Sequence, residues 1–555
     1  MKNKRYLKVF VFLGIPSILV SQTFDRAQLQ SEVEVGLSNL PFAEYTINLP
    51  QFPTQIFDIR EYGAVGDGQT LNTTAIQNAI VKCARMGGGT VLIPSGLWLT
   101  GPLQMHSRVN LHLQSGALVV FTPDRRQYPM IKIPRREYSA MPLLYGYDLE
   151  DVAVTGEGIL NGSGEAWRPV KKSKTTDAQW KNLLKSGGVV DKVKEIWWPS
   201  QAAMDGEQFV RQVGQSKRKK DLIPDDYLPA RDFLRPNMVQ FINCRRVLFD
   251  GITVTNSPRF ALYPNFCEEV VIRNVKINNE WWAQNGDGID LNACRNALVY
   301  RCTVTAGDDA LCLKASLDKE TIQPAVRNIV MRDCTVYHGH GGFVVGSNTE
   351  GGVANVFVEN CTFIGTDLGL RFKSARDRGG IVENIFIKNI TMQSIVGAAV
   401  FFSTFYQEFT QHPIAPDERQ PVTTTTPIFR NIVMDSIFSR DSQQIAALTG
   451  LAEMPLQNIR LTHSAFTAAA GVTAINVNGL HLEEVNLQPA EGTVLNLQQC
   501  SQVLLDRISY PKDCGSVLTV AGAASQAITV KNIVLDDSAI VCRPEVPADA
   551  VRRIE

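Results

Sequence analysis

Three carboxylates recur in two short motifs. Asn285–Leu291 reads NGDGIDL and Ala306–Lys314 reads AGDDALCLK, so Asp287 precedes the pair Asp308–Asp309 by 21 residues. His340 follows in GHGG, and Arg371 and Lys373 follow in LRFKS, at further steps of 31 and 31 residues (309 to 340 and 340 to 371). Carboxylates repel one another, so a chain that stacks them either binds a cation or handles a proton. Turn chemistry explains an isolated Gly-Asp step, but it does not require the acids to stack. Calcium takes about six to eight oxygens. An Arg and a Lys on the next coils disfavour a bound cation and favour an anionic ligand. No metal and no cofactor is expected. Hydrolysis of a glycosidic bond with inversion needs one protonated carboxyl and one ionised carboxylate, about 6.5–9.5 Å apart. Crowded acids meet the first need, because repulsion keeps a proton on one of them.

The segments that carry these residues repeat. RRVLFDGITV, EEVVIRNVKI, RNALVYRCTV, VRNIVMRDCTV, VANVFVENCTF and VENIFIKNITM share a pattern rich in Val and Ile. Equivalent positions are Ile252, Val275, Cys302, Cys334, Cys361 and Ile390, at steps of 23, 27, 32, 27 and 29 residues. Fainter copies are RNIVMDSIFS, QNIRLTHSAF, SQVLLDRISY and VKNIVLDDSA. Strand-sized segments at irregular spacing fit a parallel β-helix, whose coils absorb loops at their corners. A propeller needs four strands in each period of about 40–45 residues.

A second alignment sets the faces of one sheet. Ile289, Leu311, Phe343 and Leu370 form one inward column, and Leu291, Leu313, Val345 and Phe372 the next. Alternation then turns Asp290, Cys312, Val344 and Arg371 outward, with Asn292, Lys314, Gly346 and Lys373 beside them. Coils rise by about 4.8 Å. Three Asp, one His, one Arg and one Lys are therefore expected along a single exposed edge, with Gly307 giving the chain freedom to bend so that Asp308 and Asp309 both serve the site.

Asn72–Gly89 carries Ile76, Ile80 and Cys83 on one helical face and ends in a Gly run; it should cap the open end of the coil. Two segments break the repeat. Residues 165–236 read as a partly helical insertion, in which Trp197, Trp198 and Arg218 could stack on or pair with a terminal sugar. Residues 404–427 form a second insertion.

The chain has 555 residues and equal numbers of acidic and basic side chains, 55 each. Neither net charge nor a polybasic arm points to nucleic acid. Residues 1–22 place four basic residues before an apolar run too short to span a bilayer, the layout of a signal peptide. Export to the periplasm or medium is expected, leaving residues 23–555 as one catalytic domain without membrane insertion. The 11 Cys show no CxxC pattern and read mostly as packed free thiols.

The sequence resembles glycoside hydrolase family 28, the polygalacturonases, and in particular bacterial exo-type members. The likeness runs from about Phe57 to Ser403 through FDIREYGAVGDG, VTGEGILNGSGEAW, NSPRFALYPN, WWAQNGDGIDL, AGDDALCLK, GHGGFVVGSN and LGLRFKS. It implies an all-β, right-handed parallel β-helix and inverting chemistry. It also implies that Asp308 is the general acid, that Asp287 and Asp309 activate water, and that His340 tunes the acid and holds substrate. Arg371 and Lys373 match the family's uronate-binding Arg-x-Lys. Asn285 keeps the first residue of the family's Asn-Thr-Asp, here Asn285-Gly286-Asp287. Lys314 is either a second uronate contact or a plain surface lysine. The implied substrate is a pectin-type polysaccharide or oligogalacturonide, cut by a monomer with a lean toward exo action. A pectin lyase and a non-catalytic, tailspike-like β-helix are the rival readings.

Overall fold

The computed structural model describes residues 26–135, 138–406, 418–535 and 537–554. The signal-peptide reading and residues 407–417 of the second insertion lie outside them. Among the described residues, 37 strands join in one parallel hydrogen-bonded network, each strand pairing with its counterpart one coil on. This is the expected parallel β-helix. Helix α1 is Arg26–Gly36, α2 is Thr73–Arg85, α3 is Asp177–Lys185 and α4 is Gln201–Ser216. None of them is long and apolar enough to cross a membrane.

The repeat sits in the register read from the sequence. Thr253, Lys276, Thr303, Thr335, Thr362 and Thr391 pair in succession, which stacks the six repeat positions that precede them. The last faint copy is displaced. Val503 pairs with Ile528, so the strand is Gln526–Lys531 and not VKNIVLDDSA. Corners recur at left-handed residues, several in each coil and often Asn, which tolerates that conformation. Asn296, Asn328 and Asn355 all have positive φ, and each side chain donates to the previous one, at 2.9 and 3.2 Å.

Five strands carry the site: β1 Leu262–Asn265, β2 Ile289–Asn292, β3 Asp309–Lys314, β4 Gly341–Val345 and β5 Leu370–Lys373. Their inward columns are fully buried, and the second continues upward as Phe372 stacked on Phe402, ring centroids 4.3 Å apart. Helix α2 buries Ile76, Ala79, Ile80 and Cys83 against the first coils, as a cap must. Gly87 and Gly88 stop it in positive φ.

The first insertion is partly helical and also holds a small antiparallel sheet of Val170–Lys171, Val189–Asp191 and Ile196–Trp198. A feature without a sequence signal lies at the start. Helix α1 and the extended chain after it bury Leu29, Val33, Leu37, Ile47 and Leu49 against an outward column of apolar residues. That column runs Ala153, Leu248, Val271, Leu298, Val330, Phe357 and Phe386 up successive coils. All 11 Cys are free, nine of them buried.

Candidate active site

Register decides which acids meet. Ile289 pairs with Leu311 and Leu311 with Phe343, so Asp287 lies beneath Asp309, while Asp308 lies beneath His340. The backbone repeats this: Gly288 donates to the Asp309 carbonyl at 2.9 Å and His340 to the Asp308 carbonyl at 2.8 Å. One oxygen from each of Asp287, Asp308 and Asp309 lies within 4.8 Å of the others. That is closer than the expected inverting spacing of about 6.5–9.5 Å between carboxyl groups. Oxygens up to ~5.4 Å apart still share one water, at about 2.7 Å from each.

Arg371 and Lys373 do not sit on the same edge column. Arg371 pairs with Val344, deeper in the sheet, and reaches back along the outer face. Its Nη1 donates to Asp309 Oδ1 at 3.0 Å, and Lys373 Nζ donates to Asp309 Oδ2 at 2.8 Å. Nor is the edge exposed. Asp287, Asp290, Asp309, Lys314, Arg371 and Lys373 are all buried, while Asp308 and His340 keep their side chains 21 % and 31 % open. Gly307 has ordinary negative-φ backbone. It is needed because a Cβ there would lie 2.3 Å from the Ala283 carbonyl of the loop packed against it.

Lys314 is neither a surface lysine nor a free hand for substrate. Its Nζ donates to Asp290 Oδ1 at 2.6 Å, Asp287 Oδ2 at 3.0 Å and Cys312 Sγ at 3.1 Å, with the Phe260 ring centroid 5.0 Å away. Burial works against its charge, but Asp290, Cys312, Asp287 and Asp309 outweigh burial and hold its pKa well above the usual value.

The acids are sorted by their partners. Burial drives the Asp287 carboxyl well above the ordinary range, and Asp290 adds to the rise; its Oδ1 has no hydrogen-bond partner. Burial also raises Asp290. At Asp309 burial is overcome by Lys373, Arg371 and Lys314, and its pKa falls. At Asp308 burial is overcome chiefly by the hydrogen bond from His340, Nδ1 to Oδ1 at 3.0 Å, and its pKa falls. Four carboxylates thus face Lys314, Arg371 and Lys373, with Lys174 a further cation beyond His340. The opposed shifts mean that a proton taken up by the free site favours Asp287 over Asp309. A metal ion would have to displace the three cations that already neutralise this cluster.

The insertion completes the site with residues that periodicity could not flag. Lys174 Nζ lies 2.9 Å from His340 Nε2 and 3.4 Å from the Gly307 carbonyl. Arg235 donates to Asn285 Oδ1 at 2.9 Å and to the carbonyls of Pro258 and Gln284. Burial, Arg259 and Arg168 lower its pKa to about 9, which leaves it charged at neutral pH. Tyr406, from the second insertion, places its ring 5.4 Å from Lys373 Nζ and 5.7 Å from the Arg371 guanidinium. Trp281 stands 46 % exposed on the loop against Gly307, a face open to a sugar ring. By contrast Trp197 is buried and donates to the Gly187 carbonyl, Trp198 packs on Phe233, and Arg218 pairs with Asp221 on the surface. Burial closes Trp197 to a sugar. Asp290 was legible only as an outward position; its place beside Lys314 was the available signal.

Residues 230–478 match the family model described as Glycosyl hydrolases family 28. A probable polygalacturonase of Vitis vinifera is 24% identical over 425 residues, 74% of this chain and 74% of that protein. An exo-poly-alpha-D-galacturonosidase of Dickeya chrysanthemi is 28% identical over 368 residues, 64% of this chain and 58% of that longer protein. The crystal structure of a hyperthermoactive exopolygalacturonase from Thermotoga maritima superposes with a TM-score of 0.64 at 26% identity, covering 80% of this chain and 94% of that one.

Proposed function

Because this chain belongs to glycosyl hydrolase family 28, we propose that it degrades pectin, hydrolysing α-galacturonosyl bonds of polygalacturonate or its oligomers with inversion. The observation that carries this reading is the trio of Asp287, Asp308 and Asp309, one oxygen of each within 4.8 Å of the others, beside the Arg371–Lys373 cation pair. Asp308, the most open of the three, donates to the departing glycosidic oxygen. Asp309, held ionised by Arg371 and Lys373, takes a proton from the attacking water, which Asp287 helps to place. The proton that Asp287 favours in the free site must stand on Asp308 at the moment of cleavage. A uronate drawing charge from Arg371 and Lys373 would shift that balance, because a second anion in the cluster raises every neighbouring carboxyl. Asn285, two residues before Asp287 and fixed by Arg235, and Trp281, exposed on the loop packed against Gly307, suit a sugar's hydroxyls and apolar face.

We favour release from a chain end, since the insertion brings Lys174 and Arg235 against the catalytic coils. The basic-then-apolar N-terminus supports export. Incubation with polygalacturonate tests the whole reading. Early release of one small product, with the β-anomer first in the proton NMR spectrum, is the expected result. A rapid fall in viscosity with a ladder of oligomers would overturn exo action. An α-anomer formed first would overturn inversion, and an unsaturated, ultraviolet-absorbing product would replace hydrolysis by elimination.

A further inference from the structure

The insertion does more than flank the cleft. We infer that Lys174 is a positioning residue for the reaction proposed above: it fixes the tautomer of His340, so that an N–H, and not a lone pair, faces Asp308. The inference rests on the reading of Asp308 and His340 as working groups. A lysine ammonium donates and never accepts. With Lys174 Nζ 2.9 Å from Nε2, the imidazole must accept there, and a neutral ring that accepts at Nε2 carries its hydrogen on Nδ1. Nδ1 lies 3.0 Å from Asp308 Oδ1. That oxygen is then the acceptor, and Oδ2 is left for the glycosidic oxygen.

Among the charged groups around the ring, Asp308 at Nδ1 and Lys174 at Nε2 both favour this tautomer; Asp367 Oδ2 would favour the other, but at 3.7 Å from Nε2 it lies beyond hydrogen-bond distance; Arg371 Nη1 lies 3.4 Å from the His340 carbonyl. Lys174 is anchored in turn by the Gly307 carbonyl, next to the acid it serves. It stands in the short 3-10 turn Lys172–Lys174, so the inserted segment reaches the catalytic acid through this one side chain and the histidine.

The test is histidine-selective nitrogen-15 NMR of the whole protein at a pH where the ring is neutral, with His340 assigned by its loss in His340→Gln. The native ring should show a protonated Nδ1 and a bare Nε2. Lys174→Met, similar in length but without a donor, should move the hydrogen to Nε2, and Lys174→Arg should keep the native pattern. In turnover, Lys174→Met should lose roughly 10- to 100-fold in kcat, less than loss of the acid itself, with Lys174→Arg restoring most of it. An Nε2–H tautomer in the native protein, or an unchanged Nδ1–H tautomer in Lys174→Met, would overturn the inference. Native protein inactive on galacturonan would instead defeat the proposed function, while the spectrum still reads the tautomer.

Discussion

The same outward column of the β-helix serves two opposite purposes along its length. Through the catalytic coils it reads Asp290, Cys312, Val344 and Arg371; above them it continues as Phe401, Ala447, Thr473, Asn496 and Thr519. The neighbouring column passes from Lys314 and Lys373 to Ser403, Thr449, Ile475 and Gln498. The backbone does not change character: both regions are parallel coils over an apolar core. The strands do change. In the upper region Ile428–Thr449 and Leu456–Ile475 run as continuous strands of 22 and 20 residues, whereas β1 to β5 have four to six. In these two columns the upper coils stack neutral side chains. Short strands leave corners where loops enter and roof a cluster of charges, which lets four acids and three cations coexist out of solvent. A buried charge survives only when it is paired, so chemistry here is confined to the coils where pairing is complete.

The largest test of this contrast is catalytic. Asp308→Asn should lower kcat by about 10²- to 10⁴-fold while the protein still folds, because Asp308 is the most open of the acids. Thr473→Ala, in the upper part of the outward column, should leave kcat within about twofold. Equal losses would mean that the two regions do not divide as described. A smaller effect is expected in binding. Lys373→Met should raise KM on a uronate polymer by about tenfold or more, the value of a charged hydrogen bond, whereas Ser403→Ala, its neighbour one coil up, should not; steady-state kinetics on polygalacturonate compares them.

The subtlest effect is on stability, and it sets Asp287 against Asp309. The Asp309 pKa is lowered on folding, so its contribution is present above the unfolded value of about 4 and fades as pH falls through the lowered value. Asp309→Asn should therefore destabilise at neutral pH, where it leaves Arg371 and Lys373 without their counter-charge. The Asp287 pKa is raised, so its contribution is full below about pH 4 and is lost as pH rises through the raised value. Asp287→Asn should stabilise at neutral pH by a few degrees in Tm, the gain growing with pH. Thermal melts from about pH 2 to pH 8, a span that reaches below the unfolded carboxylate value, check both: the Asp309→Asn loss should shrink as pH falls below about 4, and the Asp287→Asn gain should grow as pH rises above it; the opposite trend in either would refute the sorting of the two acids.

Sequence periodicity revealed the coils, their register and the inward columns, since alternation is imposed by the strand itself. The acids were legible because they interrupt that alternation in a repeated place. It was silent where chain geometry is irregular. Lys174 and Arg235 belong to a segment without period, and their approach to His340 and Asn285 depends on how the insertion folds back. The exposure expected of Lys314 and of the whole edge failed for a related reason. An outward position on a strand is solvent-facing only if nothing covers it, and here the corner loops do. The pairing of Arg371 was misplaced because counting residues between motifs ignores how many the corner holds; hydrogen-bonded register puts it above Val344. Helix α1 left no mark because its partners lie on coils hundreds of residues away.

That last docking has a temporal meaning. The strip beneath α1 and its tail is assembled from coils that begin near Ala153 and end near Phe386. One coil higher the column still reads Val433 and only then turns to Arg460. Helix α1 and its tail, near the start of the chain, therefore have their complete docking strip only when about two thirds of the sequence is wound. Their cover over the strip depends on coils made much later in the chain, and without it that apolar seam is bare.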